Sequence, residues 1–141
     1  MPPAEWDALL TEGTDIHARW ICQVDVIAAL LMQLRDADIP VLWRPYHEMN
    51  GSWFWWGGRE GARGYPALYR QLYERFVSVH HLDNLIWVWN TNAPRADAAA
   101  YAGFYPGHDV VDILAADVYA NDYANDADEV RRLFASPLVL L

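Results

Sequence analysis

Short apolar runs alternate along this chain with longer stretches in which apolar residues recur every three or four positions. The short runs are typical of strands buried on both faces, and the longer stretches are typical of helices that bury one face. Because this alternation forms a parallel sheet covered by helices, the predicted fold class is α/β. The predicted strands are 39–43, 85–89, 110–116 and 137–141, and helices are predicted between 13 and 40 and at 66–79, 95–102 and 126–134.

Two of the predicted helices carry a well-defined apolar face. Thr14 or Asp15 is expected to cap the first of them, and Pro66 suits the first turn of the second. Trp87 and Trp89 lie two residues apart within one predicted strand and should face the same side, where a place in the core is the default. The apolar faces comprise Trp20, Val24, Ile27, Leu31 and Leu34 in the first helix and Leu68, Leu72, Phe76 and Val79 in the second.

The composition restricts the classes of partner. The chain has 141 residues, about one domain by length, and its ten basic residues, all arginine, face nineteen acidic ones for a net charge of −9. This acidic balance argues against nucleic acid and anionic membranes as partners. No apolar run approaches the roughly 20 residues of a membrane span, and the first residues do not resemble a signal peptide. The single cysteine, Cys22, cannot form an internal disulfide.

Polar residues follow the predicted strands at the points where the strands end. In parallel α/β folds the ligand site lies beyond the carboxyl ends of the strands, so these positions are the strongest functional candidates. Among the glutamates, only Glu48 lies at such an end. The strand-end residues are Arg44, His47 and Glu48 after the first strand, Asn90 and Asn92 after the second, and Asp117 and Tyr119 after the third.

Glu48 lies in the part of the chain that is richest in tryptophan, with Trp43, Trp53, Trp55 and Trp56 nearby. Apolar walls favour the uncharged form of a carboxyl group, which is the form that a general acid needs. Aromatic faces stack on the C–H surfaces of sugars, so the combination indicates polysaccharide hydrolysis. The alternative is structural: the glutamate caps a helix or pairs with an arginine, and the tryptophans belong to the core.

One long segment resembles a known family. Residues 41–57, VLWRPYHEMNGSWFWWG, are similar to the acid/base segment of glycoside hydrolase family 26, which consists chiefly of β-mannanases on a (β/α)8 barrel. The resemblance continues through 84–90, 105–107, 111–113 and 117–119, and it covers the chain from about residue 13 onward. It implies that residues 1–141 are a partial catalytic domain, a partial TIM barrel with roughly strands four to seven and their helices, whose other N- and C-terminal strands are missing.

The resemblance also implies roles for individual residues. Glu48 matches the general acid/base glutamate, and His47 matches the neighbouring histidine that contacts the sugar in the cleavage subsite. Trp53 matches a tryptophan of the substrate-binding cleft. Asp117 and Tyr119 match the pair after strand six that helps to form the same subsite, with the tyrosine hydroxyl near the nucleophile.

Two further expectations concern the mouth of the barrel. Arg44 matches an arginine there, for which orienting another side chain is as plausible as contacting the substrate. Enzymes of the family are retaining, and retaining enzymes in general hold two carboxyls about 5 to 5.5 Å apart. The second carboxyl, a glutamate that acts as nucleophile, would lie beyond Leu141, so we expect the isolated chain to be inactive.

The predicted partner is a polysaccharide, with β-mannan favoured over β-glucan or xylan as the substrate of an endo-acting enzyme. The resemblance leaves open a protein that keeps the aromatic cleft and binds polysaccharide without catalysis. We expect no cofactor and no metal ion, and because polymeric mannan is extracellular, we expect a secreted or cell-surface protein.

Overall fold

A computed structural model describes residues 1–92, 98–117 and 119. Three parallel strands form one sheet in the order β1-β2-β3, with β1 at Val41–Trp43, β2 at Leu85–Asn92 and β3 at Ile113–Asp117. Val41 pairs with Leu85 at the first junction, and Asn92 pairs with Asp117 at the second. The predicted parallel α/β arrangement is therefore confirmed for three strands, whereas the predicted elements at 126–134 and 137–141 lie outside the described residues.

Helices connect and cover the strands. Thr14, one of the two predicted caps, caps α2: its hydroxyl oxygen accepts a hydrogen bond from the backbone N–H of His17 at 3.2 Å. Pro66 lies in the first turn of α3, which begins at Tyr65, as predicted. The helices are α1 at Pro3–Leu9, α2 at Asp15–Asp36 and α3 at Tyr65–Glu74, and α3 continues into a π-helical turn at Arg75–Val79. The helix predicted at 95–102 is a 3₁₀ segment at Ala98–Phe104, and α1 was not predicted.

The core lies between the sheet and these helices. Trp87 and Trp89 both point into it from β2, as their spacing predicts. The Trp87 ring lies against Tyr73 of α3, with 4.9 Å between the ring centroids, and the Trp89 ring lies against Tyr105 at 5.3 Å. Aromatic side chains from α3 and from the segment after Phe104 therefore pack against one face of β2.

Part of the predicted core is exposed. Ile27, Leu34 and Val79 were expected to be buried but are exposed, and the strand at 39–43 is a shorter edge strand in which Leu42 is 66% exposed. Side chains alternate between the two faces of a strand, so Leu42 lies on the face opposite to Trp43 and Trp87, which pack toward the helices. Even so, no described helix is both long and apolar enough to cross a membrane.

Candidate functional site

The predicted site residues converge at the carboxyl ends of the three strands. One oxygen or nitrogen atom from each of His47, Glu48 and Asp117 lies within 4.8 Å of the other two. The Tyr119 hydroxyl donates to Oε1 of Glu48 at 3.5 Å. Side chains from the ends of β1 and β3, far apart in the sequence, thus face one small volume around the Glu48 carboxylate.

Glu48 is fixed through both its backbone and its side chain. Its backbone N–H donates to the carbonyl oxygen of Asn90 at 2.8 Å, which ties the turn after β1 to β2. Its backbone adopts a φ of 55°, in the left-handed region that residues with a Cβ atom seldom occupy. The side chain is only 5% exposed. A carboxylate so deeply placed needs hydrogen-bond donors, and the site supplies them.

Trp53 supplies the shortest of these donors. Its indole Nε1–H donates to Oε2 of Glu48 at 2.9 Å. The ring lies directly over Gly51, where any Cβ atom would overlap three of its carbon atoms. Because 56% of Trp53 remains exposed, its outer face is available to a ligand while its nitrogen holds the carboxylate.

His47 lies against an aromatic pair on the other side of the site. Phe54 and Trp56 stack face to face, with ring centroids 4.4 Å apart and planes 10° apart. The His47 ring approaches Phe54 at 4.9 Å and Trp56 at 6.1 Å. The indole N–H of Trp56 also donates to the backbone carbonyl of His47 at 2.9 Å. The imidazole is thus held in place by a rigid aromatic wall.

Arg44 is directed to Asp117 rather than to Glu48. Its Nη1 lies 3.0 and 3.1 Å from the two carboxylate oxygens of Asp117, which joins the ends of β1 and β3. This geometry identifies the orienting contact of Arg44 and does not support the structural alternative in which Arg44 neutralises Glu48.

One possible ligand atom from each of His47, Glu48 and Asp117 lies within 4.8 Å of the other two, which is close enough to hold a metal ion. The chemistry of the donor set does not favour one. Asp117 is already neutralised by Arg44, and the Glu48 oxygens receive an indole N–H and a phenol O–H. Oxygens that already accept hydrogen bonds from cationic and neutral donors suit a neutral, hydroxyl-rich ligand better than a cation.

Two features of the site were missed from the sequence. Asn50 bridges to the end of β2, since its side-chain oxygen accepts from the backbone N–H of Asn92 at 2.8 Å. Trp20, expected only as a core residue, donates its indole N–H to the hydroxyl oxygen of Tyr46 at 2.9 Å. Burial raises the pKa of Tyr46 to about 12, so this hydroxyl stays protonated. The available sequence signals were a polar residue two positions after Glu48 and a tryptophan within an apolar helix face.

The site is therefore a buried carboxyl group among aromatic side chains, at the carboxyl ends of the strands of a parallel α/β fold. The family model for glycosyl hydrolase family 26 matches residues 6–140. Since this match covers most of the chain, the protein belongs to glycosyl hydrolase family 26.

Individual relatives agree with this assignment. The chain is 43% identical over 128 residues to a mannan endo-1,4-beta-mannosidase of Thermothelomyces thermophilus, covering 82% of this chain and 25% of that protein. It is 36% identical over 143 residues to mannan endo-1,4-beta-mannosidase A and B of Caldalkalibacillus mannanilyticus, covering 96% and 27%. The chain thus spans about a quarter of the length of these relatives.

Solved structures show the same similarity in three dimensions. GH26A from a Muricauda species superimposes with a TM-score of 0.84 at 51% identity, covering 94% of this chain and 45% of that one. The mannanase man26 of Bacillus subtilis gives a TM-score of 0.79 at 34% identity, covering 95% and 42%. The three-stranded unit described above is thus similar to part of larger family members.

Proposed function

We propose that residues 1–141 form part of the catalytic domain of a retaining endo-β-1,4-mannanase, with β1, β2 and β3 equivalent to strands four, five and six of a (β/α)8 barrel. The observation that carries this proposal is the buried Glu48 carboxyl among aromatic side chains, held by the hydrogen bond from Trp53. Its support is the identity to several mannanases over most of the chain. The predicted strand seven would follow beyond the described residues.

Glu48 would act as the general acid and then as the general base. In its acid form the Glu48 carboxyl passes its proton to the glycosidic oxygen as the bond to the anomeric carbon breaks. A second glutamate, expected beyond Leu141, would attack the anomeric carbon and form a glycosyl ester. Glu48, now a carboxylate, then takes a proton from water, and the hydroxyl displaces the ester with overall retention.

The other site residues would hold the sugar during these steps. The exposed face of Trp53 offers a stacking surface beside the carboxyl group, and the His47 imidazole, backed by its aromatic wall, offers a hydrogen bond. Asp117 and Tyr119 would line the same subsite. Arg44 would keep Asp117 oriented as a fixed acceptor for sugar hydroxyls.

β-Mannan is the proposed substrate. A β-glucan is the competing choice, since the chain is also 33% identical over 82 residues to endoglucanase H of Acetivibrio thermocellus, although that match covers only 54% of the chain. Mannose and glucose differ in one hydroxyl orientation, so the distinction must be made by assay. Because such polymers cannot enter cells, we also propose an extracellular place of action.

The test uses a completed barrel, in which the chain is extended to the length of its relatives from its flanking coding sequence or by grafting it into the Bacillus subtilis mannanase. Reducing-sugar release is measured on β-mannan, barley β-glucan and xylan. Glu48→Gln should lower hydrolysis by roughly a hundred- to ten-thousandfold while retaining polysaccharide binding. Glu74→Gln, an exposed glutamate on α3, is the matched control and should match the parent. Faster release from β-glucan or xylan, or an active Glu48→Gln variant, would overturn the proposal.

A further inference from the structure

The turn that carries Glu48 has an unfavourable backbone. Tyr46 and Glu48 have φ values of 50° and 55°, so two of three consecutive residues are left-handed although neither is glycine. Such strain persists only where surrounding contacts fix the conformation, and it is common where a side chain must be aimed precisely. The contacts that hold residues 46–48, here called the acid/base turn, therefore bear on the direction in which Glu48 points.

Three tryptophans hold the acid/base turn, one at each of its residues. The indole N–H of Trp20 donates to the Tyr46 hydroxyl and that of Trp56 donates to the His47 carbonyl, each at 2.9 Å. The third, from Trp53 to the carboxylate, has the same length. Trp20 lies on α2, whereas Trp53 and Trp56 belong to the loop that follows the turn, so two separate parts of the fold hold it.

Trp20 is the most informative of the three. It lies on α2, is buried, and its nitrogen bonds the far end of the Tyr46 side chain. The Tyr46 ring then packs against Trp55 and Trp56, with centroid distances of 5.8 and 5.6 Å. Since Trp56 in turn bonds the His47 carbonyl, one connected set of contacts runs from a helix in the outer layer to the residue beside Glu48.

We propose that Trp20 and Trp56 are positioning residues that hold the acid/base turn in its left-handed form and thereby aim the Glu48 carboxyl at the glycosidic oxygen. This inference rests on the proposed function. Neither indole nitrogen contacts Glu48, so both act through the turn. Loss of either N–H lets the turn relax toward ordinary φ values, which swings the carboxyl away from the bond to be cleaved.

The test separates aiming of the acid from general stability by the choice of leaving group. A β-mannan needs a proton on its leaving oxygen, whereas 2,4-dinitrophenyl β-mannobioside expels a stable phenolate without one. In the completed barrel, Trp20→Phe and Tyr46→Phe should each lower kcat/KM for β-mannan at least tenfold, through kcat rather than KM. The same value for the dinitrophenyl substrate should change less than twofold.

The two variants remove the two partners of one hydrogen bond, so the double variant should be no slower than either single variant. Trp56→Phe should show the same dependence on the leaving group. Trp89→Phe is the matched control, because it deletes an indole N–H that bonds the carbonyl of Phe104 at 3.3 Å, away from the turn. Equal losses on both substrates, losses no larger than that of Trp89→Phe, or an additive double variant would overturn the proposal.

A second readout does not depend on turnover. The indole proton of Trp53 resonates downfield while it is bonded to Glu48, so Trp20→Phe and Tyr46→Phe should move it upfield and Trp89→Phe should not. If Trp20→Phe fails to fold, Tyr46→Phe and Trp56→Phe decide the question. If the parent barrel does not hydrolyse β-mannan, the proposed function fails, and an unmoved Trp53 resonance then refutes the positioning role separately.

Discussion

Gly51→Ala should disable the site while leaving the fold intact. A Cβ atom at Gly51 would lie less than 3 Å from three carbons of the Trp53 ring, whereas carbon atoms pack at about 3.5–4.0 Å. The ring must therefore retreat by roughly 1 Å or more. Its nitrogen, now 2.9 Å from Oε2 of Glu48, then passes the hydrogen-bond limit of about 3.2 Å. The ring is more than half exposed and can swing outward, so the clash is relieved without opening the core.

The size of the effect follows from the bond that is lost. A hydrogen bond to a charged group contributes about 1.5–3 kcal/mol, which corresponds to roughly a ten- to 150-fold loss of kcat/KM. The free energy of unfolding should change by less than about 1 kcal/mol, because an exposed side chain can rearrange at little cost. In the completed barrel, kcat/KM on β-mannan is compared with that of Ser52→Ala, an exposed position in the same loop. Activity within twofold of the parent, or a loss that persists unchanged in a Trp53→Phe background, would refute the reasoning.

Three further outcomes can be checked. A hydrogen bond from Arg75 lowers the pKa of Asp25 from 3.8 to about 2. Burial opposes this shift, and a hydrogen bond with His80 adds to it. Its stabilisation, about 1 kcal/mol after screening of this partly exposed group, should be full above pH 4 and lost as the pH falls towards 2. The difference in urea midpoint between the completed barrel and its Asp25→Asn variant should therefore shrink as the pH falls from 4 to 2. In the 141-residue chain, Val26 and Leu30 are apolar and more than 60% exposed, so Val26→Lys with Leu30→Lys should reduce aggregation measured by light scattering. The control, Gln23→Lys with Gln33→Lys, adds the same charge and should leave the scattering unchanged. That unmodified chain should release no reducing sugar from β-mannan, because the proposed double displacement needs a second glutamate as nucleophile, which is expected beyond Leu141; measurable turnover would contradict this.

The fold class was predictable because strands and helices have different apolar periods, and the parallel order follows from their alternation. The errors fell where burial depends on a distant neighbour. Leu42 and Ile27 have the periodicity of core residues, yet both are exposed in the described part of the chain. The spacing of apolar residues shows which of them share a face of a helix or strand, but it does not show what packs against that face.

The same distinction applies to the site. The residues at its centre were predictable because the carboxyl ends of parallel strands meet at one edge, and the structure does bring Glu48 and Asp117 together there. Their hydrogen-bond partners were not predictable, since no local pattern pairs Trp20 with Tyr46, 26 positions later. The left-handed φ of Glu48 is also invisible in a sequence without glycine at that position. A sequence therefore indicates which polar residues meet at the strand ends more readily than the contacts that orient them, and substitutions in those contacts are the sharper test of the proposed mechanism.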